Sequence, residues 1–137
     1  MRLLLCIAVA ALVQAPMPPF RSIEQGTMSG IATPRQVAVR DGDAWTALWR
    51  QHAPDRTMPA VDFSRDMVVG VFLGARPTSG FGATVVGYRD DGARIVVQYR
   101  ETMPPPGAAA AQVIVTPYHL VALPRRQGAI TFEKLPA

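Results

Sequence analysis

The stretch MVVGVFLG, residues 67–74, constrains the fold of this chain more than any other. It is apolar throughout, rich in valine and of strand length. Branching at Cβ favours the pleated backbone, and a run without polar alternation offers no face to water. It is expected to be a central strand. The segments around it read in the same way. FRSIEQGTMSGI (20–31) holds a short first strand, and RQVAVR (35–40) alternates polar and apolar residues as a half-buried strand does. GATVVGY (82–88) and RIVVQYR (94–100) flank RDDGAR, whose Asp-Gly pair is a hairpin signal. QVIVTPYHLVALP (112–124) is β-like but is interrupted by Pro117, which implies a bulge, a bend or an edge position. QGAITFEKL (127–135) supplies a short final strand.

A single segment has helical spacing. In AWTALWRQH, Trp45, Leu48, Trp49 and His52 fall on one stripe, Asp43 is placed to cap the N-terminus, and Pro54 ends the run. The start of TMPPPGAAAA cannot be regular structure, because successive prolines lack donors and lock φ. The expectation is an α+β, mainly antiparallel β fold: about six strands with one short helix (residues ~43–52) packed against the sheet. A β-sandwich is the alternative.

The chain has 137 residues, one domain by length, and its first nineteen are expected to lie outside that domain. Met1-Arg2 precedes the apolar run LLLCIAVAALV, which is short for a bilayer span and suited to a signal-peptide core. Residues 1–19 are therefore read as a signal peptide or N-terminal anchor followed by the Pro-rich spacer PMPPF, and 20–137 as one exported domain, periplasmic or extracellular. Cys6 is the sole cysteine and lies in the apolar run, so the domain itself has no disulfide, thiolate or Cys-ligated metal. The net charge is +4, with thirteen arginines against one lysine. The arginines stand singly among acids, as in Arg40-Asp41, Arg65-Asp66 and Arg89-Asp90, whereas a nucleic-acid footprint would cluster them with aromatics between. A mixed solvated surface is expected, with no nucleic-acid partner, and membrane contact only through an uncleaved N-terminus.

RPTSGFG, residues 76–82, is the most distinctive loop. It fails the phosphate-loop pattern, since Phe81 stands where lysine belongs and five residues, rather than four, separate Gly74 from Gly80. It fails the dinucleotide fingerprint because Gly80-Phe81-Gly82 opens a strand. It fails the nucleophile elbow because Pro77 and Phe81 flank Ser79 where glycines are needed. Acid–base chemistry is sparse. His52 closes the helix stripe, and His119 alternates to a half-buried face. A Ser79–His119–Asp62 trio can be drawn without any spacing to support it, and neither histidine has a neighbour at metal-ligand spacing. Asp62 and Asp66 suit an Asx-type turn before the central strand. Trp45 and Trp49 read as the helix's core face. No catalytic residue, cofactor or metal is expected.

The ordered combination of AWTALWRQH, VDFSRDMVVGVFLGARPTSGFG, a hairpin, ETMPPPG and TPYHLVALPR resembles the PrcB C-terminal domain family over roughly residues 20–133. That resemblance implies a small, β-rich, non-catalytic exported domain that associates with or stabilises another exported protein, a protease among the candidates. A second resemblance concerns the loop alone. Arg76-Pro77-Thr78-Ser79-Gly80-Phe81 is similar to the N-P-T-T-G-Y loop by which chagasin-type inhibitors enter the cleft of cysteine proteases. Arg, Ser and Phe replace Asn, Thr and Tyr, and the other inhibitory loops have no clear counterpart. Arg76, Pro77, Thr78, Ser79, Gly80 and Phe81 are accordingly the candidate partner contact. Pro77 would stiffen the loop, Gly80 admit a close backbone and Phe81 serve as anchor.

Overall fold

The computed structural model describes residues 19–137; the expected signal segment falls almost wholly outside them. Seven strands and one helix follow in the order β1 (Arg21–Gly26), β2 (Arg35–Val39), α1 (Gly42–His52), β3 (Asp66–Phe72), β4 (Gly82–Asp90), β5 (Arg94–Thr102), β6 (Tyr118–Pro124) and β7 (Ala129–Lys134). They form a four-stranded sheet, β1-β6-β3-β2, and a three-stranded sheet, β4-β5-β7. All pairings are antiparallel except β5 with β7, which is parallel. The fold is α+β and mainly antiparallel, and its two sheets stack as a sandwich.

Three layers result, and the central run explains them. Met67, Val69, Val71 and Leu73 face the second sheet, packing with Val85, Ile95, Val97, Val121 and Leu123. Val68 and Phe72 face the other way, onto Trp45, Leu48 and Trp49 of α1 and Tyr118 and Leu120 of β6. The strand is thus buried on both faces, which is why no polar alternation breaks it. Strand β6 divides likewise, and at this position His119 is buried rather than half-buried, turned toward the second sheet.

Two further readings are corrected. The helix cap is Asp41, not Asp43: Asp41 has extended backbone, and its Oδ1 accepts the Ala44 N–H at 2.8 Å. Asp43 lies instead in the first turn, where its charge complements the helix dipole. The long segment 112–124 is not one strand. Pro117 splits it, so that β6 begins at Tyr118 and residues 115 and 116 make only isolated bridges, Val115 to Arg76 and Thr116 to Met28. The short first strand, Arg21–Gly26, pairs along β6 with a bulge between Ser22 and Glu24.

Candidate functional site

The 76–81 loop joins β3 to β4 and so crosses from one sheet to the other at one end of the sandwich. Two other segments meet it there. Arg76 and Val115 exchange both backbone hydrogen bonds, at 2.8 and 2.9 Å, and the Ser79 N–H donates to the Ala111 carbonyl at 3.1 Å. The Ala111 N–H in turn donates to Ser79 Oγ at 2.9 Å. Beyond Val115, Thr116 pairs with residues 27–29: its N–H donates to Thr27 O at 2.8 Å and it accepts from the Ser29 N–H at 3.3 Å. Segments 27–30, 76–81 and 111–116 therefore form one apical cluster.

Within it the six candidate residues divide. Arg76 does not point outward. Its Nε donates to Glu101 Oε1 at 2.6 Å and its Nη1 to the Leu73 carbonyl at 2.9 Å. Thr78, Ser79 and Phe81 are half-buried, while Pro77 and Gly80 are exposed. Gly80 has φ +93°, and a Cβ there would stand 3.0 Å from Pro104 Cβ. The triple-proline segment thus braces the loop from the side, and only glycine fits the brace without strain. The loop is a stiffened turn with a low profile.

What sequence reasoning missed is the apolar surface beside it. Met28, Met103, Val113 and Ile114 are exposed large hydrophobics, with Ile114 at 69 %. Their segments all belong to or flank the apical cluster. The Ile114 backbone N–H and C=O take no partner among the described residues. The signal was available in Pro117: apolar residues on the far side of a strand break need not be core.

A second polar constellation lies on the helix side of the first sheet. The His52 side chain is fully buried at the end of α1, with Ser29 Oγ 2.8 Å from Nδ1 and Glu24 Oε1 3.0 Å from Nε2. Glu24 also accepts from Arg56 through both oxygens, at 2.8 and 2.6 Å, and from the Tyr118 hydroxyl. Burial opposes the Glu24 charge, but the bonds from Arg56, Tyr118 and His52 prevail and hold its pKa at about 2. Tyr118 is pushed up to about 12 by burial and by Glu24, and burial lowers His52 despite its carboxylate neighbour. With a carboxylate on Nε2, neutral His52 keeps its proton there, and Nδ1 accepts from Ser29.

The order hydroxyl, imidazole, carboxylate has the elements of a nucleophile relay, and it uses residues other than the trio drawn from sequence. Its chemistry is restrained, however. Ser29 Oγ also accepts the Ile31 N–H at 3.0 Å, and the neighbouring Gly30 N–H is engaged by His52 O at 2.7 Å. A nucleophile needs free donors for the developing oxyanion; here both neighbouring amides are occupied. Gly30 also presses on the helix end, where a Cβ would lie 2.5 Å from Gln51 O. The network staples β1, the 27–31 segment, α1 and β6 together.

Ser79, His119 and Asp62 are not brought together. His119 engages Ser22 Oγ through Nε2 at 2.8 Å and the Val85 N–H through Nδ1 at 2.8 Å. Asp62 makes the expected Asx turn, accepting from the Ser64 N–H at 3.0 Å. Trp45 and Trp49 are buried core residues with their indole N–H groups satisfied by the Pro59 and Arg56 carbonyls.

The family model described as PrcB C-terminal matches residues 67–124, from the start of the central strand to the end of β6. No curated protein and no solved structure matches the chain. The matched stretch contains the 76–81 loop and its brace at 103–115.

Proposed function

From the match of residues 67–124 to the PrcB C-terminal family, we propose that this chain is an exported, non-catalytic domain that associates with another envelope protein, a protease being the candidate the family name suggests. The contact surface is the apical cluster. The observation that carries the reading is the exposure of Met28, Met103, Val113 and Ile114 around a loop held rigid by Pro104 and Ala111. Large exposed apolar side chains carried by segments that meet at one end of a domain are candidates for an interaction surface, and a rigid contact loop loses little entropy on binding. The non-catalytic part of the reading is supported by Ser29, whose hydroxyl is buried and already engaged on both sides.

The geometry also bears on the direction of presentation. Pro19, where the described chain begins, lies near Tyr88, whose hydroxyl donates to its carbonyl at 3.3 Å. Strand β1 then runs its six residues, about 20 Å, before the chain reaches Met28. An N-terminus retained in a membrane would leave the apical cluster facing away from it.

The test is co-purification from envelope extract, with proteolytic activity measured on the captured material. An accessory domain co-purifies with a protease that still turns over. Loss of papain-type protease activity on adding the domain would instead favour direct inhibition through residues 76–81, and capture of no envelope protein would count against both.

A further inference from the structure

A cleft of about 340 Å³ opens between the two sheets beneath the 76–81 loop. Arg35, Gln36, Leu73, Arg76, Tyr99 and Lys134 are among its lining residues. Two of these, Arg76 and Lys134, are cations on the cleft side, whereas Arg35 lies on the other face of β2, where its Nη1 reaches Gln51 of α1. One carboxylate, Glu101, is shared by the two: Arg76 Nε donates to its Oε1 at 2.6 Å and Lys134 Nζ to its Oε2 at 2.7 Å. Two positive charges against one negative leave an excess of +1.

The donors of the cleft are also incompletely used. Arg76 engages Glu101 through Nε and the Leu73 and Ala75 carbonyls through Nη1, which leaves Nη2 without a partner among the described residues. Lys134 uses one of its three N–H groups on Glu101. The Tyr99 hydroxyl accepts from Gln36 Nε2 at 2.8 Å, and its own proton has no acceptor among the described residues. Arg76 and Glu101 are 25 % and 9 % exposed, so their field is screened less than that of the open surface pairs.

We propose that this cleft binds a small anionic group, a carboxylate or a phosphate, between Arg76 and Lys134, with the Tyr99 hydroxyl as a further donor. Glu101 is the internal precedent: the same Arg76 and Lys134 already hold one carboxylate in hydrogen-bonding geometry. A second, singly charged anion offsets the local excess of +1 and meets donors that Glu101 leaves unused. The proposal is independent of the protein-partner reading and survives its failure.

The test is a ¹H–¹⁵N titration of the full chain with sodium acetate, sodium phosphate, and a dipeptide carrying a free C-terminal carboxylate alongside its amide, each against chloride at matched ionic strength. Saturable shifts are expected at the amides of Gln36, Leu73, Tyr99 and Lys134. Glu101→Gln removes the competing charge and is expected to tighten binding about threefold or more. The variant Lys134→Ala, at an exposed position, is expected to weaken it at least about tenfold. A dipeptide acid that binds while its amide is silent assigns the site to peptide carboxylates; phosphate binding well above both carboxylates assigns it to phosphates. Shifts no larger than those of chloride, or indifferent to both variants, would overturn the proposal.

Discussion

His119 is predicted to make the stability of the fold acid-sensitive by a mechanism that one substitution can isolate. Its Nδ1 accepts the Val85 N–H, at a point where β4 bulges against β5 between Val85 and Gly87. Its Nε2 must then carry the proton, which goes to Ser22 Oγ. The imidazole thereby ties β6 of one sheet to β4 of the other. A protonated ring would aim an N–H at the Val85 N–H, and that tie would be lost. Burial is the sole cause acting on His119, and it lowers the pKa below the usual 6.5. Protons therefore bind the unfolded chain more readily than the folded one. The contribution of His119 is fully present above pH 6.5 and is lost as pH falls toward the folded-state value, with a slope of up to about 1.4 kcal/mol per pH unit. His119→Gln retains an acceptor for Val85 and a donor for Ser22 but does not titrate. It is expected to stay within about 1 kcal/mol of the parent at pH 7.5 and to flatten the decline between pH 6.5 and 5. His119→Leu leaves the Val85 N–H buried without a partner and is expected to cost about 1–3 kcal/mol at pH 7.5. Urea unfolding followed by tryptophan fluorescence at several pH values measures all three. An acid slope unchanged in His119→Gln would refute the reasoning.

Three other outcomes follow from the described contacts. Glu24, with a pKa held at about 2 against 4.5 unperturbed, stabilises the fold above pH 4.5, and about 3 kcal/mol of that is lost as pH falls from 4.5 to 2; Glu24→Gln should remove this component of the acid transition in a urea series. Gly80→Ala meets both a positive φ and Pro104, and is expected to cost about 1–3 kcal/mol; Gly92→Ala, with φ +87° and open space, should cost about 1 kcal/mol, as thermal melts of the two variants would report. A fluorophosphonate serine probe should leave Ser29 unlabelled, since its hydroxyl is buried and engaged; labelling abolished by Ser29→Ala would place a nucleophile there.

The elements of the fold were largely legible because each carries a local signature. Valine-rich runs marked β3, β4 and β5, and the Trp45–Leu48–Trp49–His52 spacing marked α1. The partition into sheets was not, because it is set by pairing between distant segments. Strand β7 follows β6 after four residues, Arg125–Gly128, yet pairs in parallel with β5 in the other sheet. The cap at Asp41 and the first-turn Asp43 differ by two positions and in backbone conformation, which composition does not encode.

The candidate site was legible only in outline. The 76–81 loop was identified by its glycines and proline, but the inward turn of Arg76 depends on Glu101, twenty-five residues away. The Glu24–His52–Arg56–Tyr118 network joins residues up to 94 positions apart, and a histidine on a helix stripe was its one local trace. Val113 and Ile114 share a β-like segment with β6, and only the break at Pro117 hints that they lie outside the strand and exposed.

The central claim is that the apical cluster is where this domain meets its partner. Site-specific photocrosslinking tests it most directly, with a photoreactive side chain placed at Ile114, 69 % exposed in the apical cluster, or at Gln127, an exposed position in the β6–β7 connection at the other end of the sandwich. The account predicts a discrete crosslinked envelope protein from position 114 that position 127 does not give. A crosslink from 127 alone, or the same product from both, would contradict it.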